Sequence, residues 1–311
     1  MTACKSLLSP FSIKHLRLKN RVCSVGHAPI YTQDGLPQER YQRYHEEKAK
    51  GGVGLSIFGG SSNISRYSGS IFGQIYVGDD RVIPYFRAFA ERMHRHGAAL
   101  MCQISHLGRR TRWDSGDWLP TIGPSVIRDP AHHSVPRAMA VAEIRRVTQS
   151  FAEAAYRCKE GGLDGCELLA TSHLLGQFLS PLSNQRKDEY GGSLENRMRF
   201  LLEALEATRA KVGDAFIVGV RFAADESNEG GLTPEEGIEI ARQLGKRGAA
   251  DFLNVNGAYS STTHGLAETY AGMAFKSAPY IRWTQIFTDK NKKYKICTQK
   301  EGKWSGLTKT P

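Results

Sequence analysis

The chain has 311 residues, of which 40% are apolar, and its 42 basic and 31 acidic side chains give a formal net charge of +11. This length accommodates one α/β barrel of about 250 residues with additional segments. The apolar fraction excludes a disordered or collagen-like chain. No apolar run approaches the ~18 residues of a membrane-spanning helix, and the first residues lack the apolar stretch of a signal peptide. We therefore expect a cytoplasmic protein without a membrane partner.

The positive charge is concentrated near the carboxyl terminus. Residues 284–311 contain seven lysines, no arginine and two acids, so they supply +5 of the +11. The preceding residues instead contain 25 arginines and ten lysines. We predict one domain over 1–283 and a basic, disordered tail over 284–311. A frameshifted end, a genuine basic surface segment and an artificial extension are the three origins considered for the tail. Its aromatic residues are too sparse to stack nucleic-acid bases, so no nucleic-acid partner is predicted.

The cysteine spacing does not favour a metal site. There is no C-x-x-C pair and no histidine at zinc-ligand spacing, so neither zinc nor an iron–sulfur cluster is predicted. Cys102 and Cys166 lie in apolar runs, where buried free thiols are expected. The six cysteines are Cys4, Cys23, Cys102, Cys158, Cys166 and Cys297.

Short apolar runs alternate with longer amphipathic segments along the chain. Runs of this length are typical of buried parallel strands. The predicted strands are 22–25, 53–58, 98–104, 165–170, 216–222 and 252–255. The predicted helices are 38–51, 82–96, 141–161, 195–212 and 234–248. Strand–helix alternation through six units predicts a parallel α/β sheet.

No glycine-rich dinucleotide loop or Walker loop follows the first strand, which favours a (β/α)8 barrel over a Rossmann or P-loop fold. In such barrels the chemistry lies at the carboxyl ends of the strands. Those ends carry small residues, one amide, one guanidinium and two imidazoles. Small residues let a planar ligand approach the backbone, while an amide and a guanidinium bond a ring edge. The strand ends therefore predict a pocket for a flat heteroaromatic molecule. Considered alone, Gln103 is better interpreted as a satisfied core amide, and Arg221 fits a salt bridge that caps the barrel equally well.

Three motifs carry a family resemblance. They lie at 19–21 (Lys-Asn-Arg), at 103–109 (Gln-Ile-Ser-His-Leu-Gly-Arg) and in the long run 177–197, which ends in Tyr-Gly-Gly-Ser-Leu-Glu-Asn-Arg. In order and spacing over about residues 6–283, the chain resembles the Old Yellow Enzyme family of FMN-dependent barrels. The resemblance implies an FMN-oxidoreductase TIM barrel with noncovalent FMN, and NAD(P)H as an electron donor to be tested.

The resemblance also implies a set of flavin-contacting residues. Gln103 would pair with the O2/N3 edge of the ring, and Arg221 would lie near N1, where a fixed cation favours the anionic reduced flavin. Ala28 stands where trimethylamine dehydrogenase carries a flavin-linked cysteine, so no covalent bond is expected. The complete set is Gly26, His27, Ala28, Gly60, Gln103 and Arg221.

The substrate side departs from the family pattern. Ene reductases of the family hold the substrate carbonyl with a pair of polar residues and donate a proton from a tyrosine, whereas Leu168, Thr171 and His173 occupy those positions here. Leu168, Thr171 and Tyr31 are predicted to contact substrate. His173 and His27 are predicted to be catalytic, since imidazole titrates near neutrality. A wall residue without a catalytic role is the alternative for His173.

Residues 26–63 resemble the dienoyl-CoA reductase and amine dehydrogenase branch, and within it the N-methyl amino-acid demethylases. The first prediction is therefore hydride transfer between an N-methyl amine or imino acid and FMN. Ene or enone reduction with NAD(P)H is the alternative within the family, and a non-catalytic remnant is the alternative of another class. The sequence does not identify the electron partner.

Six strands are predicted where the family barrel has eight. Strands 7 and 8, with the loop that grips the FMN phosphate, would follow residues 278–280, where the tail begins instead. Losing two charge-assisted hydrogen bonds of ~1.5–3 kcal/mol each would weaken FMN binding about 10²- to 10⁴-fold. Open sheet edges would also invite association, so a homo-oligomer is considered.

Overall fold

The structure is a computed structural model that describes residues 5–112, 119–259, 261–269 and 296–297. Its strands are β1 (Phe11–Ile13), β2 (Leu16–Leu18), β3 (Cys23–Ser24), β4 (Leu55–Asn63), β5 (Ala99–Ser105), β6 (Ile122–Gly123), β7 (Arg137–Ala138), β8 (Gly165–Ala170), β9 (Ile217–Ala223), β10 (Phe252–Asn256) and β11 (Ile296–Cys297). Its helices are α1 (Lys5–Leu8), α2 (Glu39–Lys50), α3 (Ile83–His94), α4 (Val141–Glu160), α5 (Leu174–Leu179), α6 (Leu194–Val212), α7 (Pro234–Arg247) and α8 (Thr263–Thr269), with one 3-10 turn at Asp80–Val82.

A parallel sheet forms the centre of the described residues. Its strands run in the order β11-β10-β9-β8-β5-β4-β3, and every neighbouring pair is parallel. Helices connect the successive strands from β3 to β10. The six predicted strands correspond to β3, β4, β5, β8, β9 and β10, and the five predicted helices to α2, α3, α4, α6 and α7. The prediction of a parallel α/β fold is therefore confirmed.

Alternation along each strand gives the sheet two different faces. The outer face packs against the helices in a large apolar core, to which β5 contributes Leu100, Cys102 and Ile104. The inner face begins at the amino ends of the strands with a smaller apolar cluster that includes Met101 and Phe252. The β1–β2 hairpin closes this end because Ile13 and Leu18 pack into the same cluster. Polar residues can consequently face inward only nearer the carboxyl ends of the strands.

Helix ends follow local sequence signals. Thr233 caps α7: its Oγ1 accepts from the Glu236 N–H (3.3 Å), and a Glu236 carboxylate oxygen accepts from the Thr233 N–H (3.2 Å). Gly248 ends this helix with a left-handed φ of 65°. The first end is a capping box and the second a glycine stop, the usual signals for the start and end of a helix.

Three cysteines lie together in the layer between the sheet and α4. Cys102, Cys158 and Cys166 are free and buried, as expected for Cys102 and Cys166. Burial raises the pKa of the Cys158 and Cys166 thiols above the ordinary range. Among the described helices, none combines the length and apolar character needed to cross a bilayer.

Part of the predicted tail joins the sheet. Ile296 and Cys297 pair in parallel with Leu253 and Asn254 of β10, which adds β11 at the edge. Ile296 and Cys297 belong to the segment 284–311 that the sequence predicts to be a disordered tail. The other residues of 284–311 lie outside the described residues.

Candidate functional site

A cavity of about 930 Å³ lies at the carboxyl ends of the sheet strands. It brings together most of the residues that the sequence predicted for a site. The predicted residues that line it are Gly26, His27, Ala28, Gly60, Gln103, Thr171, His173 and Arg221.

A β-bulge in β4 shapes one wall of this cavity. Phe58 pairs with Cys102 and Ser62 pairs with Ile104, so Gly59, Gly60 and Ser61 together lie opposite Gln103. All three bulge residues have positive φ, at 105°, 51° and 77°. A Cβ on Gly60 would lie 2.1 Å from the backbone carbon of His27, so only glycine allows this approach. The bulge thereby presses β4 against the backbone that follows β3.

Gln103 is held by hydrogen bonds at both ends of its amide. Its Oε1 accepts from the N–H of Ser61 in the bulge (3.1 Å), and its Nε2 donates to Glu167 Oε1 (2.7 Å). Asn254 donates to the other oxygen of Glu167 (2.9 Å). Glu167 is fully buried; this desolvation raises the pKa of its carboxyl, while Arg221 and the two amides act in the opposite direction. The amide orientation at the cavity floor is therefore fixed before any ligand binds.

His27 belongs to a polar cluster on the β3 side of the cavity. Its Nδ1 donates to the carbonyl of Val25 (3.0 Å), which leaves Nε2 as an acceptor for the hydroxyl of Tyr44 (2.9 Å) and the amine of Lys48 (3.1 Å). Burial lowers the pKa of His27 and lowers that of Lys48 to about 8. This arrangement favours a neutral imidazole at His27.

His173 lies at the amino end of α5 on the opposite wall. Its Nε2 lies 3.2 Å from the Ser61 hydroxyl, and its buried Nδ1 has no hydrogen-bond partner among the described residues. Burial, together with the nearby Arg110 and Arg221 charges, holds the pKa of His173 well below its ordinary value. His173 is therefore a neutral imidazole, and its Nδ1 is closed off from solvent.

Two predicted substrate residues lie outside the cavity wall. Leu168 is fully buried on the outer face of β8, where it packs in the core. The strand alternates, so Glu167 and Leu169 face inward, and Leu169 lines the cavity in place of Leu168. Tyr31 is half-buried and makes an edge contact with Tyr44, while the neighbouring Ile30 reaches the cavity. The structure therefore places Leu169 and Ile30 on the cavity wall, each one residue away from a predicted position.

Several cavity residues were missed by sequence reasoning. Ser61 directly follows the predicted residue Gly60, but the sequence gives no sign that it belongs to a bulge. Lys48 reaches the cavity from α2, and Arg110 follows directly after the Gly108-Arg109 motif. The sequence prediction searched the residues that directly follow each apolar strand. It therefore does not find side chains that reach the cavity from a helix or an irregular loop.

The site and the sheet define a class of protein: a parallel α/β barrel fold with a polar cavity for a flat ligand at the strand ends. Residues 6–272 match the NADH:flavin oxidoreductase / NADH oxidase family. The chain belongs to this family of FMN-dependent oxidoreductases.

Known proteins agree with this placement. A protein of Caballeronia cordobensis described as a multifunctional alkene reductase/demethylase is 50% identical over 284 residues, covering 90% of this chain and 42% of the relative. A probable N-methylproline demethylase of Rhizobium meliloti (strain 1021) is 44% identical over 275 residues, covering 88% of this chain and 41% of the relative. The solved complex of 2-naphthoyl-CoA reductase with 2-naphthoyl-CoA is 26% identical, with a TM-score of 0.85, covering 94% of this chain and 46% of that one. The chain thus spans about two-fifths of the length of these curated relatives.

The described residues fit an isoalloxazine ring. Gly26 and Gly60 keep the cavity floor free of side chains: a Cβ on Gly26 would lie 2.7 Å from Gln103 Nε2. Gln103 and Arg221 supply the amide and cation suited to the pyrimidine edge of the ring. The loop expected to hold the FMN phosphate falls outside the described residues, so the fit concerns the ring alone.

Proposed function

We propose that the chain forms the FMN-binding barrel of an enzyme that oxidises an N-methylated amine, releasing formaldehyde and the demethylated amine. The observation that carries the proposal is His173, a neutral imidazole on the cavity wall whose Nε2 lies 3.2 Å from the hydroxyl of the bulge residue Ser61. An ammonium substrate must lose its proton before its nitrogen lone pair can assist loss of hydride from the methyl carbon. We assign the acceptance of that proton to the imidazole of His173.

The chain's own residues divide the remaining work. Gln103 and Arg221 would hold the FMN ring, with the amide orientation fixed by Glu167 and Ser61. FMN held there would supply the hydride acceptor for the methyl group. Water then adds to the resulting iminium, and the carbinolamine separates into formaldehyde and the secondary or primary amine. Leu107 and Leu169 give the cavity apolar wall beside His173.

Enone reduction is the second candidate, because the relative that is 50% identical carries both activities in its description. Reduction of an enone needs hydrogen-bond donors at the carbonyl oxygen and a proton for the adjacent carbon. On the inward face of β8 and its extension, the cavity offers Leu169, Thr171 and a neutral His173. Leu169 offers no hydrogen-bond donor to a carbonyl oxygen, which suits amine oxidation better than enone reduction.

The test is anaerobic reduction of FMN-loaded protein by N-methyl amines, with formaldehyde measured chemically. We expect one formaldehyde per FMN bleached. His173→Asn should lower the bleaching rate about 10²-fold or more, as for loss of a general base. His15→Asn is the matched control, since His15 is exposed between β1 and β2. Bleaching by NADH with turnover of 2-cyclohexenone, and none by N-methyl amines, would establish the second candidate instead. Protein that takes up no FMN would support the non-catalytic remnant.

A further inference from the structure

Lys48 is a cavity residue that the proposed oxidation does not use. It lies in the last turn of α2, four residues after Tyr44, so the two side chains are neighbours on one side of the helix. The Lys48 amine lies 4.3 Å from the centre of the Tyr44 ring. Lys48 is half-buried and lines the cavity. It is therefore part of the cavity wall although it belongs to a helix.

Uncharged groups hold the Lys48 amine. Its Nζ donates to Nε2 of His27 (3.1 Å) and to the hydroxyl of Ser24 (3.3 Å). None of the described residues that line the cavity is an aspartate or glutamate. Burial therefore acts on Lys48 without an opposing carboxylate, and it lowers the pKa of the amine to about 8.

The two last lysines of α2 differ in the protonation of their amines. A lysine attacks a carbonyl group only as the free base, and roughly a tenth of an amine with a pKa of about 8 is free base at pH 7. For an ordinary lysine this fraction is below about one in a thousand. Lys50 is exposed and pairs with Glu47 (2.7 Å), and this hydrogen bond raises the pKa of Lys50. Lys50 is thus an internal reference for Lys48.

We propose that Lys48, held in place by His27, is a carbonyl-reactive amine that captures a small aldehyde in the cavity as a Schiff base. The free Nζ adds to the carbonyl carbon, a C–N bond forms, and one N–H proton moves to the oxygen to give a carbinolamine. The hydroxyl group then leaves as water with the second N–H proton, and a C=N bond to Lys48 remains. The reaction needs no oxidant or reductant.

Formaldehyde is the aldehyde that we assign to this site. This choice rests on the proposed amine oxidation, because formaldehyde would form in the same cavity. The capture step itself does not depend on that reaction, since an aldehyde supplied from solution undergoes the same addition. The two proposals can therefore be tested separately.

The experiment treats FMN-loaded protein with formaldehyde and sodium cyanoborohydride at pH 7. Cyanoborohydride reduces each Schiff base to a stable N-methyl-lysine, and mass spectrometry of peptides compares the methylation rates of Lys48 and Lys50. We expect Lys48 to react about 10-fold faster, because its larger free-base fraction outweighs the lower nucleophilicity of a less basic amine. This ratio should fall between pH 7 and pH 9 as Lys50 loses its proton. A ratio of one or less at pH 7, or a ratio that does not change with pH, overturns the proposal.

The role of His27 is tested by removing its imidazole. In His27→Ala the Lys48 amine loses its hydrogen-bond acceptor and becomes hydrated, so the methylation ratio should fall to near one. His15→Ala is the matched control and should keep the wild-type ratio, because His15 is exposed between β1 and β2. An unchanged ratio in His27→Ala would refute the assignment of His27 as the residue that holds the amine.

A turnover experiment distinguishes this proposal from the proposed oxidation. With an N-methyl amine as the only source of formaldehyde, methylation of Lys48 ahead of Lys50 supports both. If added formaldehyde methylates Lys48 first but N-methyl amines do not bleach FMN, the proposed oxidation fails while the lysine site stands. If N-methyl amines bleach FMN but neither source of formaldehyde favours Lys48, the oxidation stands and the lysine site fails.

Discussion

The approach of Gly60 to His27 gives a sharp test of the site architecture. In Gly60→Ala the new Cβ would lie 2.1 Å from the His27 carbonyl carbon and 2.3 Å from the Ala28 nitrogen. Both are backbone atoms, which cannot rotate away as a side chain can. An ordinary contact of roughly 3.4 Å is reached only if the bulge, or the segment after β3 that carries His27 and Ala28, moves by about 1 Å. The substitution also places alanine at a φ of 51°.

Gly248→Ala separates these two effects. Gly248 also has a left-handed φ, 65°, but a Cβ there would meet nothing within 4 Å. Both variants share the left-handed penalty of about 1–2 kcal/mol, partly offset because alanine restricts the unfolded chain. Gly60→Ala alone adds the collision, which as overpacking costs about 1–3 kcal/mol. We therefore expect Gly60→Ala to be less stable than Gly248→Ala by about 1–3 kcal/mol.

Urea unfolding followed by circular dichroism measures the difference. With an m-value of about 1–3 kcal/mol/M, the midpoint of Gly60→Ala should fall below that of Gly248→Ala by roughly 1 M. FMN binding, followed by quenching of flavin fluorescence, should weaken in Gly60→Ala and remain at the wild-type level in Gly248→Ala. Coincident midpoints would refute the reasoning, because the close approach of β4 to the β3 extension would then not constrain the fold.

Two further predictions concern other buried groups. Burial lowers the pKa of His106 to about 3, so the folded protein stays unprotonated there while the unfolded chain takes up a proton near pH 6.5. The stabilisation from the neutral His106 is present above pH 6.5 and is lost as the pH falls. In His106→Asn, the decline of the unfolding free energy with falling pH should become less steep by about 1.4 kcal/mol per pH unit. Urea titrations at pH 7, 6 and 5 measure this slope, and an unchanged slope would contradict the assignment. Leu169→His should remain folded and raise the turnover of 2-cyclohexenone, because the new imidazole supplies a hydrogen-bond donor to the cavity. Leu168→His should lower the free energy of unfolding by about 2–5 kcal/mol, because it buries an imidazole in the core. The opposite ranking of their unfolding midpoints would show that the face assignment of β8 is wrong.

The regular part of the fold could be predicted from the sequence because buried strands and amphipathic helices leave periodic patterns. Gln103 and Arg221 could be placed for the same reason, since each occupies an inward position on a regular strand. The position of Leu168 required a register accurate to one residue, because neighbouring strand residues face opposite sides. Tyr31 lies in the loop between β3 and α2, where no periodic pattern indicates which side chain faces the cavity. Short elements such as β6 and β7, with two residues each, are below the length at which periodicity is visible.

The rest of the site depends on geometry that no periodic pattern encodes. Ser61 reaches both Gln103 and His173 only because three consecutive residues adopt positive φ. Arg110 reaches the cavity from a turn, and its hydrogen bond to Ser261 joins residues 151 positions apart in the sequence. Contacts of this kind arise from the folded chain as a whole.

The β4 bulge also restricts how the length of this segment can change. From Phe58 to Ser62 the strand advances four residues while β5 advances two, from Cys102 to Ile104. Deleting two bulge residues would restore an uninterrupted ladder and keep Ser62 and Asn63 on their present faces. Deleting one would leave a single extra residue, as in an ordinary β-bulge, and would remove the run of three positive φ angles that places Ser61 beside Gln103 and His173. Length changes in this segment are therefore expected to act on the cavity wall before they act on the sheet, and they should be rare among functional variants.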